Sequence, residues 1–274
     1  MKLPESGVAF ERVAATYDAD STDALVSRRV RAQLWSWLSE VFPAESRVLE
    51  LGCGTGEDAL WLAQRGIRVL ATDISPQMLA ITAQKAAQHG LEHRIRTQQL
   101  DFDRPETWQL PEDAFDGVYS NYGALNCTAR WSALGAALAC CVRADGQAAF
   151  SVIGRFSLIE TLWHAAHGDW RTATRRWRGT ATARIGEVTF PAHYPTARQF
   201  RRAFGTAWQL RRLYGCGVFL PPSDLYGALA RRPRLLRLLC ALERRTARFA
   251  LSAYLADQFW VVLRRRHEGE IALR

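Results

Sequence analysis

Apolar and polar positions alternate along the first half of the chain in two rhythms. Residues 24–41 carry Leu25, Val26, Val30, Leu34, Trp37, Leu38 and Val41 at the spacing of an amphipathic helix, closed by Pro43. Residues 47–51 then form a short apolar run of strand length, followed by a glycine-rich turn and a helix from Glu57 to about Arg65 that Gly66 ends. The alternation continues with a strand over 67–72, a helix over 76–88 with Ser75 as its N-cap, and a strand over 95–100. A loop marked by Pro105 and Pro111 leads to a strand over 115–120, a helix over 130–141, a turn at Asp145-Gly146 and a strand over 147–153. Strands separated by helices predict an α/β fold: a mostly parallel, doubly wound sheet with helices on both faces.

Past residue 154 this rhythm is lost. Residues 155–185 are rich in Arg, Trp, Ala and Thr without strand-like alternation, which predicts an inserted helical segment. A strand-like stretch over 187–190, a helix over 196–204 and an apolar stretch over 208–220 follow, ended by Pro221-Pro222. Two helical segments, 223–230 and 234–251, precede a last strand over 259–263. Neither repeats nor a low-complexity linker interrupt the chain, so a single domain is expected. Residues 1–44 are its leader and first helix, 45–153 the core, 154–222 a cap and late strand, and 223–274 the closing helices and strand.

Composition changes this picture only in its charge. The 274 residues are 48% apolar and 23% charged, ordinary for a globular chain. The net charge of +9 is uneven, with 14 Lys+Arg against 19 Asp+Glu over residues 1–150 and 22 against 8 over residues 151–274. A basic second half suits an acidic carrier protein, an anionic membrane surface, nucleic acid or an anionic substrate. Since only Lys2 and Lys85 are lysines, genomic GC content accounts for the arginines before function does. The six cysteines show no CxxC pair and no metal-ligand spacing with histidine, so no metal is expected and reduced thiols are. The N-terminus lacks a secretory pattern and no apolar run is long enough for a bilayer, so a cytoplasmic location is expected.

Candidate chemistry concentrates at 47–56, RVLELGCGTG. Glycines at 52, 54 and 56 permit close approach of a ligand, and a helix N-terminus presents free amides to it. A dinucleotide fingerprint needs GxGxxG, whereas Glu57 stands at the third glycine's place and would turn negative charge towards a pyrophosphate.

With its flanking pieces in order, LELGCGTG resembles motif I of the class I, Rossmann-like S-adenosylmethionine-dependent methyltransferases, over roughly residues 10–153. The resemblance implies S-adenosyl-L-methionine as cofactor, a Rossmann-like doubly wound sheet with an antiparallel last strand and a helical cap, and a small-molecule methyltransferase of biosynthesis. It further implies cofactor contacts from Gly52, Cys53, Gly54 and Gly56, with Glu50 orienting the loop or reaching the amino group. Asp73 corresponds to the acid that accepts both ribose hydroxyls, and Ile74 and Met78 lie near the adenine. Asp101 and Phe102 correspond to the pair at the adenine amino group, Asn121 to a residue facing cofactor and acceptor, and Tyr17 to the aromatic of an N-terminal lid.

Methyl transfer needs alignment and exclusion of water, and a base only for a protonated acceptor. His193, in FPAHYPT, is the preferred base candidate and Tyr122 the second. His164 and His167 share a helix face but lack a third metal ligand. Ser120-Asn121-Tyr122-Gly123 stands where many nucleic-acid methylators carry NPPY, which argues against nucleic acid. The leucines of RRPRLLRLLCALERRTARF, at 235, 238, 239 and 242, are expected to pack on the domain, while the arginines opposite leave contact with an anionic membrane open. Besides a small-molecule acceptor, a carrier-bound, lipid-like or macromolecular acceptor and a non-catalytic cofactor-binding protein remain as readings, and nothing in the sequence speaks to oligomeric state.

Overall fold

The β-branched and leucine-rich runs of the first half form parallel strands, and the amphipathic stretches between them bury their apolar stripes against the sheet. The computed structural model describes residues 2–22, 24–220, 229, 231–267 and 269. The strands are β1 (Arg47–Leu51), β2 (Arg68–Asp73), β3 (Ile95–Gln99), β4 (Phe115–Ser120) and β5 (Val142–Ile153), then a separate hairpin of β6 (Thr180–Ile185) and β7 (Val188–His193), then β8 (Trp208–Cys216) and β9 (Gln258–Arg265). Seven of them make one sheet in the order β3-β2-β1-β4-β5-β9-β8, with β9 antiparallel to both neighbours. The expected parallel sheet with an antiparallel last strand is therefore present.

Alternate residues feed two cores. Val48, Val69, Tyr119 and Trp260 face helices α2 (Leu25–Leu38), α3 (Glu57–Ala63) and α4 (Pro76–Gln88), where Val30, Leu34 and Leu62 meet them. On the other face Leu49, Val118, Phe150 and Phe259 pack with Leu134 and Leu138 of α5 (Trp131–Cys141) and Phe200 of α8 (Ala197–Ala203). Side chains that alternate across a strand require such two-sided burial. The cover of this second face is uneven. Between β3 and β4 the chain makes only the three-residue turn Pro105–Thr107, so the β2 and β3 end has no helix over it, and Leu70 stays half-buried.

The cap departs from expectation. Helices α6 (Leu158–Ala166) and α7 (Trp170–Ala173) form as predicted, but residues 180–185 are strand rather than helix. The alternation is present there, Thr180 and Thr182 outward against Ala181 and Ala183, yet its apolar members are too small to give a clear contrast. The turn Gly186-Glu187, with Gly186 at φ +56°, was the readable hairpin signal.

The late basic helix, α9 (Pro233–Thr246), stops before residue 251 and yields to a 3₁₀ turn over Ala250–Tyr254. Its predicted leucine face is also rotated. Leu236 is buried and Leu239 half-buried, while Leu235 and Leu238 are 39% and 57% exposed. Glu243 decides the rotation: fully buried, it accepts from the amides of Gly217 (2.7 Å) and Phe219 (2.9 Å), so residues 236, 239, 240 and 243 share the inward stripe. The predicted helix over 223–230 lies outside the described residues. Among the described residues no helix is long and apolar enough to cross a membrane, and no group of His, Cys, Asp and Glu could hold a metal ion.

Candidate functional site

The strand ends of β1, β2 and β4 converge on the loop from Gly52 to Gly56. Cys53 N donates to Thr72 O (2.9 Å), tying the loop to β2, and Thr82 Oγ1 donates to Gly54 O (2.9 Å). Two of the glycines serve different ends. Gly56 sits at φ +83° and a Cβ there would lie 2.6 Å from Thr82, so packing alone demands glycine. Gly54 sits at φ +53° with nothing within 4 Å of where its Cβ would be, so the space it leaves faces the cleft.

Two small adjoining cavities border this loop. One, about 100 Å³, is walled by Gly7, Phe10, Asp73, Ile74, Met78 and Phe102. The other, about 50 Å³, adds Arg31, Glu50 and Asp58. Tyr17, Gly52, Gly54, Asn121 and Tyr122 line both. The sequence-predicted residues Tyr17, Glu50, Gly52, Cys53, Gly54, Asp73, Ile74, Met78, Phe102 and Asn121 are thus brought together.

The smaller cavity gathers charged and polar groups of both signs. Asp58 accepts from Arg31 (2.6 Å), Trp35 Nε1 (2.7 Å) and Asn121 Nδ2 (2.8 Å). Among the described residues, two buried acceptors beside the loop, Glu50 Oε2 and Asn121 Oδ1, and one buried donor, Arg31 Nε, make no hydrogen bond of ordinary length, although the Tyr119 hydroxyl adjoins the Glu50 carboxyl from the core. Buried polar atoms without such a bond are rare, and these three match the ammonium and carboxylate of an amino acid. Burial, reinforced by the Asp58 charge, pushes the Glu50 carboxyl well above the ordinary glutamate range.

The larger cavity combines a carboxylate with apolar walls. Asp73 accepts from Gly54 N and Ser75 N (both 3.0 Å), which fixes its rotamer and leaves a lone pair on each oxygen for a diol. Burial raises its pKa, with these backbone bonds working in the opposite direction. Ile74, Met78 and Phe102 supply apolar walls for a base. Asp101 is not in either wall: its Oδ1 accepts from Asp103 N (2.9 Å), which holds the loop that carries Phe102.

The leader covers both cavities. Helix α1 (Glu5–Val13) places Glu11 at the N-terminus of α4, where it accepts from Gln77 N (3.1 Å) and the Ser75 hydroxyl. Tyr17 follows, and Asp18 latches the segment to the glycine loop through Thr55 Oγ1 (2.6 Å) and Lys85 (2.6 Å). Lys85 also binds Glu57 (2.6 Å), so the charge expected to point at a ligand is met by a lysine instead. Phe10 of α1 lies 6.2 Å from Phe190 of β7, joining the leader to the hairpin. A ligand of nucleoside and amino acid needs several hundred Å³. The two cavities offer less than this, and both stand partly open to solvent at the edge of the leader.

Of the predicted catalytic pair, Tyr122 lines both cavities at φ +54°, with the Arg31 guanidinium 4.3 Å over its ring and its hydroxyl donating to Ser27 O (2.9 Å). His193 lies to the side, outside both walls. Its carbonyl accepts from Asn126 Nδ2 (2.6 Å) and its Nδ1 is 3.4 Å from Thr180 Oγ1. Sequence reasoning missed Arg31, Trp35, Asp58, Thr55, Lys85 and Phe10. Asp58 had a local signal, a second acid in the first turn of the helix after the glycine loop, and Thr55 lies in that loop itself; the others meet the site from distant elements.

A family model described as a methyltransferase domain matches residues 48–146. The malonyl-[acyl-carrier protein] O-methyltransferase of Serratia marcescens is 29% identical over 262 residues, 90% of this chain and 91% of that protein. The S-adenosyl-L-methionine-dependent Diels-Alderase iccD of Talaromyces variabilis is 36% identical over 94 residues, 34% of this chain and less than a third, 31%, of that protein. Among solved structures, the [4+2]-cyclase SpnF superposes with a TM-score of 0.63 at 16% identity over 95% of each chain, a likeness of fold.

Proposed function

We propose that the chain, which belongs to the class I S-adenosylmethionine-dependent methyltransferase family, transfers the cofactor's methyl group to an oxygen, nitrogen or carbon of a small-molecule metabolite. The observation that carries the cofactor half is the trio of polar atoms, Glu50 Oε2, Asn121 Oδ1 and Arg31 Nε, beside the buried carboxylate of Asp73. Glu50 and Asn121 would hold the ammonium, Arg31 the carboxylate, Asp73 the ribose hydroxyls, and Ile74, Met78 and Phe102 the adenine. When bound, the cofactor supplies a sulfonium-activated methyl carbon.

The residues' own work is orientation and exclusion of water. Tyr17 and the Asp18 latch close the cleft from one side and the β6–β7 hairpin meets the leader through Phe190. Bordered by the leader and the hairpin, the site suits a small molecule or the end of a chain better than the surface of a folded macromolecule. Asn121, Tyr122 and Gly123 form the wall that an acceptor meets. Where the nucleophile arrives protonated, His193 would serve as proton acceptor only for an acceptor that extends beyond the two cavities to reach it. It suits this better than Tyr122, whose hydroxyl proton is committed to Ser27 O.

A second reading is an acyl group carried on an acidic protein. Its support is the likeness along nearly the whole chain to a protein acting on malonyl-[acyl-carrier protein], together with the net +14 of residues 151–274. Turnover of the purified protein with S-adenosylmethionine and matched acceptors, free or carrier-bound, tests both. Formation of S-adenosylhomocysteine with free acceptors supports the first reading, and formation only with carrier-bound ones supports the second. Product formation without cofactor consumption, as in a cyclase, would refute both.

A further inference from the structure

The sheet register gathers arginines at the end of the strands away from the glycine loop. Arg47 of β1 pairs with Arg68 of β2, and Leu70 pairs with Leu49 on one side and Arg96 of β3 on the other. Paired residues of a parallel ladder project to one face, so Arg47, Arg68 and Arg96 rise from the face that bears Leu49 and Leu70. Val69 N bonds Arg94 O (2.8 Å), which sets a fourth arginine beside them. This is also the face that the three-residue turn between β3 and β4 leaves without a helix.

A cavity of about 680 Å³ lies here. Its walls include all four arginines, His93, and the apolar Leu70, Leu110 and Phe115, and no Asp or Glu. Glu45 satisfies Arg68 (3.2 Å) and Arg94 (3.1 Å) from outside. Among the described residues no ion pair reaches the guanidinium of Arg47 or of Arg96. Like charges on adjacent strands repel. A basic cleft over a low-dielectric floor concentrates positive potential. The volume falls within the range of about 300–1,000 Å³ typical of small-ligand pockets.

We infer that this groove binds a small amphiphilic anion, a carboxylate, sulfonate or phosphate on an aromatic or short aliphatic body. The anionic head lies between Arg47 and Arg96 and the body rests on Leu70, Leu110 and Phe115. The site is separate from the cofactor cleft: β1 alone, five residues long, sets about 13 Å between its arginine end and its glycine-loop end.

The test uses the full-length protein and 8-anilinonaphthalene-1-sulfonate as probe, with neutral N-phenyl-1-naphthylamine as the same body without the head. The expected result is saturable binding of the sulfonate that weakens at least tenfold in Arg47→Gln/Arg96→Gln, is unchanged by saturating S-adenosylhomocysteine, and exceeds that of the neutral compound. Leu110→Glu, in the loop rather than a strand, is expected to give the same loss while leaving the strands alone. Equal binding in both variants, displacement by S-adenosylhomocysteine, or no saturable binding would each overturn the inference. Unaltered S-adenosylhomocysteine affinity in the variants certifies their fold and shows that the cofactor reading stands or falls separately.

Discussion

The same strands run from base to acid. β1 begins at Arg47 and has Glu50 near its end, and β2 begins at Arg68 and ends at Asp73. At the acidic end the carboxylates are buried and meet fixed donors: Asp58 takes three side chains and Asp73 two backbone amides. At the basic end Arg47, Arg68 and Arg96 are exposed and Arg94 half-buried; Arg68 and Arg94 pair with Glu45, and the other two have no ion pair among the described residues. Buried charge held by donors makes a preorganised site for a cation-bearing ligand, whereas exposed unpaired charge only sets a sign for what approaches. One end of the sheet therefore specifies geometry, the other a class of ligand.

The largest effect expected is at the acidic end. Asp73→Ala removes two acceptors worth about 1.5–3 kcal/mol each in charge-assisted bonds, so S-adenosylmethionine affinity should fall at least about 100-fold by calorimetry. Retained affinity would remove Asp73 from the ribose contact. The glycines should then separate. Gly56→Ala meets both left-handed strain and Thr82, and should lower folding stability by about 1–3 kcal/mol in denaturant melts. Gly54→Ala bears the strain without the collision and should lose more in cofactor affinity than in stability; the reverse order would dissolve the distinction between packing and ligand glycines.

Protonation offers a subtler test of buried acid. The raised pKa values of Glu50 and Asp73 mean that the folded chain binds more protons than the unfolded one as pH rises above the ordinary carboxylate range. Stability of the cofactor-free protein should thus decline with rising pH through the window between the ordinary and the raised values, and Glu50→Gln should flatten that decline. Binding of the cofactor's ammonium beside Glu50 draws its pKa down, so a proton is released, visible as a buffer-dependent binding enthalpy that Glu50→Gln abolishes. The smallest change is at the latch. Asp18→Asn loses a partly exposed ion pair, under about 1 kcal/mol, and should speed cofactor entry a few-fold in stopped flow while leaving the melting temperature nearly unchanged.

The sheet was legible because β1, β2 and β4 are short apolar runs, and because Ser75, which accepts from Met78 N as an N-cap should, marks the start of α4. The glycine loop and Asp73 were legible because their chemistry is local: a turn, a strand end and the next strand end. The hairpin at 180–193 was not, since Thr-Ala alternation carries little hydrophobic contrast. The rotation of α9 was not, since the buried Glu243 reads in sequence as a surface residue and only the amides of Gly217 and Phe219 turn it inward.

By itself, then, the sequence determined the winding order, the family and the acids at the strand ends, because periodicity and turn chemistry act over a few residues. Tertiary structure alone decided that Arg31 meets Asp58, that Asp18 and Lys85 latch the leader, and that Arg47, Arg68 and Arg96 share a face. These contacts join residues 20 to 70 positions apart. Whether two such charges meet depends on strand register and helix packing, which no local pattern encodes.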